Sequence, residues 1–274
     1  MILTKDNYFS SEASQLYCGS TQFKGFVPEL GGCEAMSLAK IRGEFIQETS
    51  SDMLYGKAVH AWSEGTLLEF KRANMKELTK ADGVTFLAKY KGIQDSIDAI
   101  QNDINMMAVL DGEKEVILTA NMFGMDWKIM IDAYNPLAGF FSDIKCMRDF
   151  AFKYDEKQGA RVSFIKYWGY QYQMAIYAEV ERLSTGRDDW LIPQIAAVTK
   201  QDPPNKDIFI GFYEKIPQLL LEVEMYSPRI IALKSGLEQP TRCGECDYCR
   251  LTKQARFVDF DSWAPISDDD YEEG

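Results

Sequence analysis

Histidine is nearly absent from this chain: His60 is the only one among 274 residues, so any imidazole chemistry falls to that position. Long apolar runs are missing as well. No stretch approaches the length a transmembrane helix needs, and the N-terminus lacks the basic-then-apolar pattern of a secretory signal. These absences predict no membrane association and a reducing cytoplasm, where grouped cysteines favour metal over disulfides. Internal repeats and low-complexity linkers are lacking too. Positive charge is scarce: 30 Lys plus Arg against 42 Asp plus Glu give a net charge of -12. An extended basic footprint is thereby excluded, and contact with a polyanion is confined to a local groove. Part of the acidic excess lies in the tail Asp268-Asp269-Asp270-Tyr271-Glu272-Glu273. The segment 266–274 reads as disordered, and residues 1–265 read as one domain with ordinary apolar and charged fractions, 46% and 26%.

What is present is acidic chemistry on strands. Asp132 precedes Asp143-Ile144-Lys145 by eleven residues, and each follows an apolar β-like run, Trp127 to Ile131 and Gly139 to Phe141. Side chains alternate along a strand, so Asp143 and Lys145 share one face while Ile144 and Cys146 enter the other layer. The turn residues Asn135-Pro136-Leu137-Ala138-Gly139 predict a hairpin that carries Asp132 beside Asp143. Two carboxylates and the Ile144 carbonyl suit Mg2+ or Mn2+, with Lys145 placed to position a metal-activated water. Metal-assisted phosphodiester cleavage needs such a set.

Helical periodicity predicts a helix from Asp52 to Ala73 with a buried stripe of Met53, Val59, Trp62, Leu67 and Phe70, leaving Gly56, His60 and Glu64 on another face. His60 is either a metal ligand or a half-buried ring satisfied by backbone. A second helix is predicted from Ile93 to Leu110, on Ile93, Ile97, Ile100, Ile104 and Met107. A third runs roughly from Arg161 to Leu183 and projects Gln173 and Tyr177 from one face, toward a substrate groove or into a tyrosine-rich packing surface. Strands are expected near 114–122, 125–134 and 139–146, then at Ile192 to Thr199 and Asp207 to Phe212. Glu115, on a strand from Glu115 to Ala120, is either a third acidic group near the metal or an ordinary exposed glutamate. Ile216 to Leu233 reads as helical with a break at Pro228. The run Lys145, Arg148, Lys153, Lys157, Arg161 and Lys166 either lines a groove or forms a solvated helix face. The predicted fold is an α/β sandwich around a central mixed sheet flanked by helices.

Cys243, Cys246 and Cys249 give the spacing C-x2-C-x2-C, three thiolates for one centre, with Cys33 the best fourth ligand. A [4Fe-4S] cluster, Zn2+ or unmetallated thiols all fit this pattern. Cys18 and Cys146 are surplus.

Asp132, Asp143-x-Lys145, His60 within Gly56-x3-His60-x3-Glu64, and Gln173-x3-Tyr177 together resemble the PD-(D/E)XK nucleases of the RecB and RecE type, especially the RecE-like exonucleases of phages and prophages (exodeoxyribonuclease VIII type). The resemblance spans Ser10 to Arg256. Ile131 stands where the family name has proline. The resemblance implies a restriction-endonuclease-like core and Mg2+-dependent resection of linear duplex ends for recombination, in a bacterial or phage-infected cell. It implies His60 as a metal ligand and Gln173 and Tyr177 in the substrate groove. It also implies a homo-oligomer working with a single-strand annealing protein. Some RecB-like nucleases clasp a [4Fe-4S] cluster with one N-terminal and three C-terminal cysteines, although their C-terminal spacing differs from this one. Two alternatives stand beside this reading: a cluster-bearing single-strand DNA nuclease, as in CRISPR spacer acquisition or the AddB subunit, and a catalytically silent DNA-binding protein on the same fold.

Overall fold

The computed structural model describes residues 1–156, 158–211 and 213–261. The tail at 266–274, Lys157 and Phe212 lie outside the described residues. Among the described residues no helix is long and apolar enough to cross a membrane.

Local capping decides where the N-terminal helices start and stop. Helices α1 (Ser11–Leu16), α2 (Ser20–Phe26) and α3 (Glu34–Arg42) lead into α4 (Ser51–Ser63), which begins where the Ser50 hydroxyl accepts the Met53 N–H at 3.2 Å. The long helix predicted to Ala73 does not form. At Gly65 the chain takes φ +78°, and the Thr66 N–H closes back on the Ala61 carbonyl at 2.7 Å, ending the helix as glycine commonly does. The chain resumes as α5 (Leu67–Ala73) and α6 (Met75–Leu78). The buried face of α4 is Leu54, Tyr55, Ala58 and Val59, and Met53 is exposed. The next predicted helix is likewise two, α7 (Gly92–Gln101) and α8 (Ile104–Val109), because the Asp103 carboxylate accepts the N–H groups of Asn105 and Met106 and starts a new helix. That restart rotates the apolar stripe. Met106 and Leu110 are buried, while Ile104 and Met107 face solvent.

The strands are β1 (Val116–Met122), β2 (Met125–Ile131), β3 (Ala133–Asn135), β4 (Phe140–Met147), β5 (Lys153–Asp155) and β6 (Ala160–Val162). The strand expected across 125–134 is interrupted at Asp132, because β2 pairs with β1 up to Val116 opposite Ile131 whereas β3 pairs with β4 from Ala133 opposite Ser142. The chain changes partners at that residue. The helix expected from Arg161 is also divided: β6 is followed by α9 (Phe164–Tyr167) and α10 (Tyr170–Thr185). Antiparallel β5 and β6 therefore carry Lys153 and Arg161 of the predicted basic helix face.

Strands β7 (Ile192–Thr199) and β8 (Lys206–Ile210) complete a four-stranded sheet of order β3-β4-β7-β8, in which β4 and β7 are parallel and the other pairs antiparallel. This is the mixed sheet of the prediction, and helices cover both faces. On one face Phe141, Ile195 and Ala197 pack with Ile176, Ala178 and Val180 of α10. On the other Ile144, Ala196 and Val198 pack with α4, α7 and α8 through Ala58, Ile97 and Met106. Helix α11 (Ile216–Ser235) runs through Pro228 without the predicted break. Val223, Ser227, Ile230 and Leu233 are buried as one stripe, while Pro228 and Glu224 are exposed, so the carbonyl that proline leaves without a donor lies on the solvent side. A last helix, α12 (Asp247–Leu251), packs on α3.

Candidate active site and cysteine centre

The pleat of β4 sets the first two groups. Ile144 is fully buried against the α4 and α7 layer, so Asp143 and Lys145 point to the α10 side. Asp143 is only 3% exposed. Its Oδ1 accepts the Gln173 amide at 2.6 Å, and its Oδ2 pairs with the Lys145 ammonium. Lys145 also lies over the Tyr170 ring, 5.0 Å from its centroid. The bend at Asp132 turns its carboxylate toward β4, where Oδ2 accepts the Ile144 N–H at 2.7 Å while Oδ1 faces His60 Nδ1 at 3.4 Å. Elements from both layers thus meet at one sheet edge, His60 from α4 and Gln173 from α10.

Charges in this group hold one another in place. Burial pushes the Asp143 carboxyl up from its ordinary value, the Lys145 ammonium pulls it back, and neighbouring Asp132 adds to the rise, leaving it raised. Burial opposes ionisation of Asp132 too, but the His60 charge and hydrogen bond hold it below the usual carboxylate range. Burial lowers His60, and the Asp132 charge overcomes that and carries it to about 9. Lys145 is raised because the charge of Asp143 outweighs burial. Two acidic groups are therefore matched by two cationic ones.

These residues floor a cavity of about 660 Å³ that Tyr177 and Glu64 also line. Tyr177 is 8% exposed, and burial holds its phenol protonated well above its ordinary range. Glu115 lies in the same cavity but not as expected. It precedes β1 at φ +52°, and its carboxylate meets Lys5 and Glu64. Burial and then the neighbouring Glu115 push Glu64 up to about 7. Of the described members of the predicted basic run, Lys145 alone lines the cavity. Lys153 lies over Tyr167 and Arg161 bonds the Phe152 carbonyl. The sequence reading missed Lys57, Tyr8 and Lys128, which also form the wall. Lys57 stands three residues before His60 on α4, a helical neighbour that spacing could have flagged. Lys128 and Tyr8 carry no such signal, since the Lys128 ammonium meets the Tyr8 carbonyl across 120 positions of sequence.

A donor set of two carboxylates beside an imidazole, gathered within contact of one another and of a lysine, suits a divalent cation. His60 and Lys145 supply positive charge at the same place. The carboxylates therefore fit a bound metal.

The second centre joins the chain's ends. Cys33 caps α3 and Cys246 caps α12. Gly32 fits here because a Cβ would come within 2.5 Å of the Gly25 carbonyl oxygen, and this close approach seats Cys33. Glu34 accepts two hydrogen bonds from Arg229 of α11 and one from the Thr241 N–H at 2.7 Å, drawing the C-terminal segment onto α3. The sulfurs of Cys33, Cys243, Cys246 and Cys249 all lie within 4.8 Å of one another, an arrangement compatible with a metal site. Cys18 and Cys146 stand apart, and burial pushes each thiol up to about 12.

No curated protein matches this chain. A solved structure from Eubacterium rectale, of a protein provisionally named an exonuclease, is 34% identical at TM-score 0.87, covering 100% of this chain and 99% of that one. The crystal structure of SSO0001 is 15% identical at TM-score 0.26, covering 79% of this chain and 90% of that one, a likeness too weak to bear on the fold. The model of the PDDEXK-like domain of unknown function, DUF3799, matches residues 19–252. With an acidic pair and a lysine on the edge of a mixed sheet, and this match over most of its length, the chain belongs to the PDDEXK-like family DUF3799.

Proposed function

We propose that this protein is a divalent-metal-dependent deoxyribonuclease that hydrolyses phosphodiester bonds from the ends of linear DNA. One observation carries the reading: Asp132, Asp143 and Lys145 meet at the floor of a cavity open to a phosphate. Asp132, Asp143 and the Ile144 carbonyl would hold Mg2+ or Mn2+, and His60 would join them as a ligand on giving up the proton that Asp132 stabilises. When bound, the cation supplies a Lewis acid for the phosphoryl oxygen and lowers the pKa of its water. Lys145 stabilises charge that builds on the phosphate, and its low exposure strengthens that interaction. Gln173 fixes the rotamer of Asp143 through its amide. Tyr177, held protonated, donates from the cavity wall. Lys57 and Lys128 add local positive charge that offsets the acidic surface.

Attack from ends rather than within the strand is supported by the name of the Eubacterium rectale relative and by the resemblance to RecE-like enzymes. Duplex resection for phage-type recombination, a homo-oligomeric assembly and a single-strand annealing partner rest on that resemblance alone, and a cytoplasmic location on the residue patterns that predict a reducing compartment. The cysteine clasp acts as a staple within a nuclease domain at 1–265, since hydrolysis of a phosphodiester transfers no electrons.

The test is a gel of end-labelled linear duplex, closed circular duplex and single strand with Mg2+, run beside Asp143→Ala. Linear DNA is degraded, the closed circle survives, and the variant loses activity by about 10²-fold or more. Equal loss of linear and circular DNA would make the enzyme an endonuclease. No cleavage of any substrate, with DNA binding retained, would favour the silent binding protein.

A further inference from the structure

We infer that the four cysteines form a mononuclear tetrathiolate site that holds a single Zn2+, and that a [4Fe-4S] cluster does not fit there. The inference stands on the cysteine geometry and is independent of the nuclease reading.

Separation of the sulfurs decides between the two. In a mononuclear site every thiolate binds the same ion. With Zn–S bonds of about 2.3 Å, a tetrahedron has sulfur-to-sulfur edges of about 3.8 Å. In a [4Fe-4S] cluster each thiolate binds a different iron, so the sulfurs stand off the corners of a cube and are spread to roughly 6 Å. Here Cys33 Sγ and Cys249 Sγ are 3.6 Å apart, Cys243 Sγ and Cys249 Sγ are 3.9 Å apart, and the whole set falls within 4.8 Å. These two edges match the smaller tetrahedron, and no separation in the set reaches the spread of a cluster. A space of that size admits one ion and has no room for four irons and four sulfides.

Packing around the sulfurs opposes expansion. Cys33 and Cys249 are 3% and 2% exposed and form a small core with Ala35, backed by Met36 and Tyr248. Opening the set would draw α12 away from α3. That motion would break the edge-to-face contact of Tyr248 with Phe45, whose ring centroids are 5.7 Å apart, and the bond from the Ala35 N–H to the Thr241 carbonyl at 3.2 Å. Backbone donors already serve the smaller arrangement. The Cys246 N–H points at Cys243 Sγ at 3.3 Å and the Cys249 N–H at Cys246 Sγ at 3.4 Å, stabilising charge on thiolates that share an ion.

Four sulfur donors in a closed tetrahedron select zinc among divalent ions and leave no open position for substrate, which makes the site structural. It ties residue 33 to residue 249, fastening the C-terminal segment beside the helix whose Glu34 grips Arg229.

The experiment uses the full chain, purified anaerobically from cells supplied with both iron and zinc. Metal content, acid-labile sulfide and the visible spectrum are measured. The expected protein is colourless, with about one zinc per chain and no sulfide. Replacing zinc with Co2+ should give the thiolate charge-transfer and d–d bands of a tetrahedral sulfur site. In Cys243→Ser, at the exposed rim, those bands should shift to fewer sulfur donors while the far-ultraviolet dichroism stays unchanged. A brown protein with iron and sulfide in equal amounts overturns the inference. So does one iron without sulfide, or a wild-type protein that takes up no zinc and shows no Co2+ bands.

Discussion

Gln173 and Asp143 are joined by a 2.6 Å hydrogen bond in which the amide of α10 donates to the carboxylate of β4. A buried carboxylate at a metal site needs its orientation fixed, and this amide is what fixes it. Gln173→Ala should lower cleavage at limiting Mg2+ by about 10-fold to 100-fold and recover part of that loss at high Mg2+. A variant whose Mg2+ requirement equals that of the wild type would reduce Gln173 to a packing role.

Lys128 gives a stability prediction with a defined pH window. Burial, then the neighbouring Lys234, hold its ammonium down to about 8. Between that value and the usual lysine range the unfolded chain keeps a proton that the folded chain has released, so stability rises with pH across the window; below it both states are protonated and the contribution is flat. Lys128→Met removes the effect. Urea denaturation from pH 7 to pH 10 should therefore show the wild type gaining on the variant only above about pH 8. A constant difference between them would mean that Lys128 titrates normally.

Glu181 is fully buried, and its Oε1 accepts from the Tyr134 hydroxyl at 2.7 Å and from Arg187 at 2.9 Å. Arg187→Leu leaves that carboxylate without its counter-charge. Because Arg187 is itself 37% exposed, the cost should be about 2 kcal/mol, below that of a fully buried pair. Equilibrium denaturation would measure it, and a loss near zero would show that water replaces the guanidinium.

Pro228 sits on the exposed side of a continuous helix, where it removes a donor without a compensating contact from the core. Pro228→Ala should raise stability by about 1–2 kcal/mol, the helix gain being partly offset by a more flexible unfolded chain. A lower melting temperature would indicate that the ring packs against something it stabilises.

Where sequence reading failed, it failed at helix lengths. Apolar periodicity continued across Gly65, Asp103 and Ser163, yet each of these residues ends or restarts a helix through its own backbone or side-chain hydrogen bonds. Pro228 shows the reverse case, in which burial of a stripe outweighs a local breaker. Glu115, expected on a strand and either near the metal or simply exposed, instead precedes β1, and its contacts to Lys5 and Glu64 depend on how the N-terminus packs.

The sequence alone determined that Asp143 and Lys145 share a face and that three cysteines converge, because strand alternation and C-x2-C spacing are properties of a few consecutive residues. It also carried the mixed sheet, through apolar runs long enough to be strands. Only the tertiary structure decided that Asp132 lies where β2 and β3 exchange partners, that Gln173 reaches Asp143, and that Cys33 closes the sulfur set from 216 residues away. Those distances follow from the packing of two helical layers on one sheet, a sum of many buried contacts that no local pattern encodes.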